Sequence, residues 1–361
     1  MCIRDSRQGD NPAVDAEMSR FRVAFLPDEP DTDNFDVTVE VKDTSATMLP
    51  SAAVRIFCQA ENTANYTAIE VTAQYVRLLD VEHGRCRELA KWEGKTAAQG
   101  DFPASLRLRC RLPQIDAICD GRRLLSALCE PGRRGKVGAG AAGVDISPPL
   151  VQPAVPVIFT DDFMRAPEEN GVWLIAGEAD WQVRSLANPA RSSNAFVFQG
   201  KGEKGGCALV GREYWDNYQV EVSVLGPPQG AIGLVLAAAD TQPRQMPTRY
   251  ALVRWSAEPR SAPQAGEAAT GKIEIVQIVN GAETVLASRA GGYRVGRWYR
   301  LGARLADNHV TAMIDGRHIL DAASPWFSGG NAGLYIKSAE PAEFDDFNLA
   351  PLAVVLSLIH I

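Results

Sequence analysis

The sequence predicts an all-β protein built as two tandem antiparallel β-sandwich domains, the first of them lacking its opening strands. Three observations lead there. Ile115-Asp-Ala-Ile-Cys-Asp-Gly-Arg-Arg-Leu-Leu-Ser-Ala127 returns as Val310-Thr-Ala-Met-Ile-Asp-Gly-Arg-His-Ile-Leu-Asp-Ala322, so a long segment recurs in order. Short apolar or alternating runs such as Val220-Glu-Val-Ser-Val224 are separated by turn dipeptides, the pattern of half-buried strands. No convincing amphipathic helix interrupts the second half of the chain.

The repeat can be followed strand by strand. Asn34 to Val41 matches Asn217 to Val224, Tyr66 to Val71 matches Tyr250 to Trp255, and Val76 to Leu89 matches Ile273 to Leu286. The offset is 183 residues at the first match, 184 at the second, 197 at the third and 195 around the Asp-Gly pair, so insertions fall between strands. A unit of that length is a whole domain rather than a solenoid repeat. Nothing before Phe21 matches Phe159 to Gly205, which is why the first copy reads as truncated.

Domain limits follow in chain order. Residues 1–6 and 356–361 read as adapter-derived ends of a metagenomic fragment and are set aside from fold reasoning. The first copy spans 20–146 and the second 157–352. Between them, residues 147–156 carry four prolines and read as a stiff linker or an edge segment. Within the copies, His83-Gly84, Asp120-Gly121, Asn280-Gly281 and Asp315-Gly316 are expected hairpin turns, because both central positions require positive φ.

Composition bounds the function. The chain is 46% apolar and 22% charged, enough to build cores, and no run approaches the roughly 18 apolar residues of a membrane span. A formal charge of −7 and a pI near 5.3 argue against nucleic acid, which needs clustered Lys and Arg. Cys58, Cys110 and Cys119 align with Leu236, Leu305 and Ile314, so they are expected as buried small hydrophobes, with an isolated disulfide as the alternative. No Cys and His spacing fits zinc.

Phe159-Thr-Asp-Asp-Phe-Met-Arg165, Trp173, Trp181, Gly296-Arg-Trp-Tyr-Arg-Leu301, Met313-Ile-Asp-Gly-Arg317, Gly333-Leu-Tyr-Ile336 and Phe344-Asp-Asp-Phe347 together resemble the concanavalin A-like lectin/glucanase superfamily. Its laminin-G-like and family-16-glucanase-like jelly rolls are the nearest in pattern. The resemblance covers the second copy throughout and the first from about Phe21. It implies a sandwich of two curved sheets whose concave face or edge loops often bind sugars, and it specifies fold better than activity.

Catalytic signatures fail their chemical requirements. Retaining hydrolysis by family-16-like enzymes uses a Glu-x-Asp-x-x-Glu strand, and no such segment exists; the acidic run Glu29-Pro-Asp-Thr-Asp33 holds a proline and reads as a solvated loop. Neither a Gly-x-Ser-x-Gly elbow nor a His-Glu-x-x-His helix occurs. Gly138-Ala-Gly-Ala-Ala-Gly143 satisfies the dinucleotide fingerprint by letter, but Val144-Asp-Ile-Ser-Pro-Pro149 cannot be the helix it must open. Asp161-Asp162 and Asp345-Asp346 are expected to bind turn donors in adjacent opening and closing strands, a calcium site being the alternative.

For ligand binding the candidates are Tyr250, Arg254 and Trp255, on a strand that mixes aromatic and charged side chains; other tryptophans are expected in the core. The expected function is a non-catalytic module binding a glycan or a surface protein, within a larger bacterial extracytoplasmic protein. Alternatives are a sugar-active hydrolase related to glucanases or keto-disaccharide hydrolases, with carboxylates from separate loops, and a structural spacer. No cofactor is expected.

Overall fold

A computed structural model describes residues 20–28, 30, 34–42, 52–129, 134–154, 157–166, 169, 171–186, 195–258 and 270–352. The expected adapter-derived ends and most of the Glu29 to Asp33 run lie outside these residues. Every regular element among them is a β-strand, and every pairing is antiparallel. The chain divides into two compact units, Met1–Ala154 and Val155–Ile361.

Unit 1 contains β1 (Arg22–Phe25), β2 (Asn34–Glu40), β3 (Ala53–Asn62), β4 (Asn65–Val71), β5 (Tyr75–Glu82), β6 (Arg85–Glu93), β7 (Ser105–Arg111), β8 (Gln114–Cys119), β9 (Arg122–Leu128), β10 (Lys136–Ala142) and β11 (Leu150–Pro153). They form two sheets, ordered β1-β10-β3-β4-β5-β6 and β11-β2-β7-β8-β9. Alternation explains the packing: Phe35, Val37 and Val39 of β2 and Leu106, Leu108 and Cys110 of β7 face Val54, Ile56 and Cys58 of β3 in one buried cluster.

The segment 147–156 is not simply a linker. Its residues Leu150–Pro153 form β11, which pairs with Thr38 to Phe35 of β2 at the edge of the sheet. An edge position tolerates proline because the missing N–H faces no partner. The glycine-rich stretch Gly138 to Gly143 likewise contributes β10, where a Cβ at Gly138 would lie 2.6 Å from the Phe25 ring and 2.7 Å from the Ala24 carbonyl. Close strand packing, not a phosphate, explains these glycines.

Unit 2 contains β12 (Phe159–Asp161), β13 (Leu174–Gly177), β14 (Asp180–Ser185), β15 (Phe196–Val210), β16 (Tyr218–Leu225), β17 (Gly230–Ala239), β18 (Arg249–Ala257), β19 (Lys272–Val279), β20 (Ala282–Ala290), β21 (Trp298–Ala306), β22 (His309–Ile314), β23 (Arg317–Ala323) and β24 (Asn331–Pro351). One layer runs β20-β19-β18-β17-β24 and the other β24-β16-β21-β22-β23. The long strand β24 serves both: Ala332 to Ser338 pairs with Val210 to Gly202 of β15, and Ala342 to Phe344 with Gly200 to Phe198. β12 pairs with the closing part of β24, so the opening and closing strands lie side by side.

The strand order of unit 1 recurs in unit 2, with β10 and β11 at the place of the two halves of β24. Register irregularities recur too: Leu78/Leu79 against Ile275/Val276, and Ala117/Ile118 against Ala312/Met313. All four expected hairpin turns adopt positive φ at both central residues, 47° to 51° at His83, Asp120, Asn280 and Asp315 and 73° to 79° at the glycines.

Cys58, Cys110 and Cys119 are buried free thiols in the unit 1 core, where Cys129 is buried too, and Cys207 is buried in unit 2. Burial and a hydrogen bond with Cys58 push the Cys110 thiol well above its ordinary range.

Candidate functional site

The sequence of β18, Arg-Tyr-Ala-Leu-Val-Arg-Trp-Ser-Ala, alternates with period two, and that decides where each candidate residue goes. Ala251, Val253, Trp255 and Ala257 turn into the main core between the two layers. Tyr250, Leu252, Arg254 and Ser256 take the opposite, outer face.

Trp255 is therefore a correction to the sequence reading. It is 3% exposed, packs edge-on to Tyr293 and Tyr299 at centroid distances of 5.3 and 4.9 Å, and donates its indole N–H to the Gly291 carbonyl at 2.9 Å. A ring so enclosed is no stacking platform for a ligand. Tyr250 and Arg254 do share a face, but play different parts. Tyr250 is buried in a second apolar layer with Cys207, Leu209, Leu252, Val276, Ile278 and Tyr335, where burial raises its hydroxyl pKa.

Arg254 is the polar centre of that face. Its Nε and Nη2 donate to Glu274 Oε2 at 3.2 and 3.0 Å, and Nη1 donates to Glu283 Oε2 at 3.0 Å. Glu274 is almost wholly buried and also receives Lys272 Nζ at 2.7 Å. The register lays Tyr335, Gly233, Arg254, Glu274 and Ser288 in one row across β24, β17, β18, β19 and β20. Burial pushes the Tyr335 hydroxyl up to about 12, so it stays a neutral donor and acceptor.

Above this row lies an open groove of about 500 Å³, lined by Glu203, Gln229, Arg254, Ser256, Lys272 and Lys337 among others. Gly230 and Ala231 among its lining residues are small, which leaves room over the backbone. Of the lining groups, the sequence reading found only Arg254. Glu274 and Glu283 were missed, although the aligned segments carried a signal: Arg254 stands where unit 1 has Glu70, and Glu274 where it has Arg77.

The groove offers ammonium and guanidinium donors, carboxylate and amide acceptors, and a serine hydroxyl, a set matched to a ligand with many hydroxyls. Hydrolysis asks for more: two carboxylates flanking the bond about 5 Å apart, one of them protonated. Glu274 and Glu283 instead converge on one guanidinium. The carboxyl that burial does push upward, Glu343, sits on the closing half of β24 opposite Gln199 and Leu225, in the other layer.

The paired aspartates are used internally. Asp161 accepts from Phe163 N at 2.8 Å, from Arg165 Nη1 with both oxygens, and from Trp173 Nε1 at 2.7 Å; Asp162 accepts from Met164 N. Asp345 accepts from Asp346 N. Among the described residues no group of three or more His, Cys, Asp and Glu side chains is placed to hold a metal ion. Nor is any helix among them long and apolar enough to cross a membrane.

No protein-family model matches the chain, and no curated protein matches it either. Solved structures do. The carbohydrate-binding module CBM66 from Bacillus subtilis is 17% identical over 50% of this chain and 95% of its own, with a TM-score of 0.38. A protein of unknown function with a galectin-like fold from Bacillus subtilis is 12% identical over 54% and 96%, also at 0.38. The Ca2+/Man3GlcNAc-bound exoplasmic/lumenal domain of VIP36 is 13% identical over 49% and 84%, at 0.34. At such scores no residue role is carried over from them.

Proposed function

We propose that this protein is a non-catalytic carbohydrate-binding module, and that the groove around Arg254 on the outer face of the β20-β19-β18-β17-β24 layer is its glycan site. The observation that carries this is the Arg254 row itself. A charged triad of Glu274, Arg254 and Glu283 is held together across β19, β18 and the edge strand β20, beside the small residues Gly230 and Ala231. Polar groups held by each other in this way need no reorganisation when they exchange hydrogen bonds with sugar hydroxyls. Because the carboxylates are tied to Arg254, the same geometry speaks for holding a sugar rather than cleaving it.

The matched strand orders and bulges support reading the two units as copies of one concanavalin A-like domain, and two linked modules raise avidity without new contacts. Placement outside the cytoplasm, as part of a longer protein, belongs to the same proposal.

The test is a glycan array probed with the full chain and with Arg254→Ala, each confirmed folded by circular dichroism, with product analysis of every bound sugar. Binding that is lost in the variant, without hydrolysis, is the expected result. Sugar cleavage would replace the reading by a hydrolase. Binding that Arg254→Ala leaves intact would move the site, and a chain that captures only a surface protein would overturn the saccharide.

A further inference from the structure

Unit 2 also holds a smaller pocket, at the corner where β15 passes from one layer to the other. Residues Phe196 to Lys201 of that strand pair with β14, and Gly206 to Leu209 pair with β13. Between β13 and β14 the chain turns through Ala179, which is fully buried; a Cβ on Gly202 or Gly206 would lie 2.7 or 2.6 Å from its methyl group. The missing side chains let the corner close. A turn at 242–245 docks against it, with Arg244 N donating to the Ile175 carbonyl at 2.8 Å. Together they frame about 280 Å³, lined by Ile175, Ala179, Asp180, Trp181, Gln182 and Arg244.

The polar groups of this pocket are unengaged. Among the described residues, no hydrogen bond or ion pair holds the Asp180 carboxylate, the Gln182 amide or the Arg244 guanidinium. Asp180 stands in register opposite Lys201 without pairing to it. Trp181 is 5% exposed and its indole N–H has no acceptor, although a buried donor of that kind nearly always finds one. The benzo edge of Trp181 lies on Gly200, where an added Cβ would come within 2.7 Å of Cζ3, so the N–H is at the far side of the ring. Arg244 is held at φ +65°, behind Pro243 in its turn, where glycine or asparagine would sit without strain. Strain of this kind collects at sites where the side chain itself is needed.

Opposite charges that line one pocket without pairing select a ligand that carries both. A neutral sugar would leave Arg244 and Asp180 without counter-charges, an anion would meet Asp180, and a cation would meet Arg244. The volume is at the lower end for small-molecule sites, with room for one small molecule and none for a chain of sugars. We propose that this pocket binds a free α-amino acid, its carboxylate on Arg244 and its ammonium on Asp180, with the apolar wall of Ile175 and Ala179 against its side chain. Arginine suits the carboxylate, because its planar fork makes two parallel hydrogen bonds. A bound oxygen would also supply the acceptor that the Trp181 N–H lacks. The pocket and the Arg254 groove share no lining residue, so an amino-acid site and a glycan site stand or fall separately.

Thermal shift of the full chain against each of the standard amino acids selects the ligand. Calorimetric titration then compares it with its N-acetyl derivative, which has lost the ammonium, and its amide, which has lost the carboxylate. The free amino acid should bind, and each blocked form should bind about ten-fold or more weaker. Arg244→Gln and Asp180→Asn should each weaken the amino acid about ten-fold. Both side chains are exposed, so the two variants keep the fold, which circular dichroism checks. Arg317→Gln, at an exposed arginine on β23, leaves binding unchanged. Failure of every standard amino acid to bind, blocked forms that bind as tightly as the free one, folded Arg244→Gln and Asp180→Asn variants that both bind like the wild type, or equal competition by glucose would each overturn the proposal.

Discussion

Replacing Glu70 by Gln should be the most damaging single change of charge in unit 1. The carboxylate and the Arg55 guanidinium that faces it at 2.6 Å are both fully buried, and Arg20 and Arg77 close on the same oxygens. An amide cannot balance three cations, so the variant leaves an unpaired charge inside the protein. Breaking such a pair costs about 3–5 kcal/mol, which at a urea slope of about 2 kcal/mol per M moves the midpoint down by roughly 2 M. Burial pushes the Glu70 pKa up, but Arg55 and Arg77 outweigh it and hold the carboxyl below its ordinary range. The stability it contributes is therefore complete above the unfolded value of about 4.3 and is lost as pH falls through the lower folded value. Urea titrations at pH 7 and pH 3, read by hydrogen exchange on peptides from Tyr66–Val71 and Tyr75–Glu82, measure both. The wild type should lose midpoint between the two pH values and Glu70→Gln should lose little further. A shift under about 0.5 M at pH 7 would refute the argument, as would a double variant Arg55→Met, Glu70→Leu that costs as much as the single one, since it removes the fully buried Arg55 charge and leaves only the partly exposed Arg20 and Arg77 without the carboxylate.

Trp255→Ala should destabilise unit 2 by about 3–5 kcal/mol through lost core volume; thermal unfolding reads this, and an unchanged melting temperature would contradict its buried position. Iodoacetamide at pH 8 should label Cys86 in the native chain, while Cys58, Cys110, Cys119 and Cys207 label only in denaturant. Mass spectrometry of the digested protein reports which, and native labelling of Cys119 or Cys207 would contradict the burial that raises both thiols. Gly281→Ala should cost about 1 kcal/mol although nothing lies within 4 Å of the added methyl, because φ is +79° there. A stability gain in urea would show that the turn relaxes.

The strand framework was legible because its determinants are local. Asn280-Gly281 and Asp315-Gly316 demand positive φ wherever they occur, and alternation in Val220-Glu-Val-Ser-Val224 fixes one buried face. Trp255 failed for the same local reason, since adjacent residues of a strand cannot share a face and Arg254 had already taken the outer one. The charged row was harder to see. Glu274 and Glu283 reach Arg254 only through the pairing of β18, β19 and β20, and the contact spans 20 and 29 residues of chain. What the alignment did hold was a double reversal, Glu70 with Arg254 and Arg77 with Glu274, which is what paired charges produce when they change together. The segment 147–156 reads from its prolines as a linker or an edge segment, and composition cannot choose between them; the pairing of Leu150–Pro153 with β2 places Pro153 on an edge, where it is tolerated.

The glycan site is tested most directly by the footprint of a bound sugar. Hydrogen exchange of the full chain, with and without saturating amounts of the neutral glycan chosen by array, maps protection onto strands. Slower exchange confined to Gly230–Ala257, to Lys272–Val279 and to the opening half of β24, Asn331 to Ala339, is the result expected of a ligand lying over Arg254. Protection centred on β16, β21 and β22, or none at all under saturation, would place binding away from the groove and contradict the account.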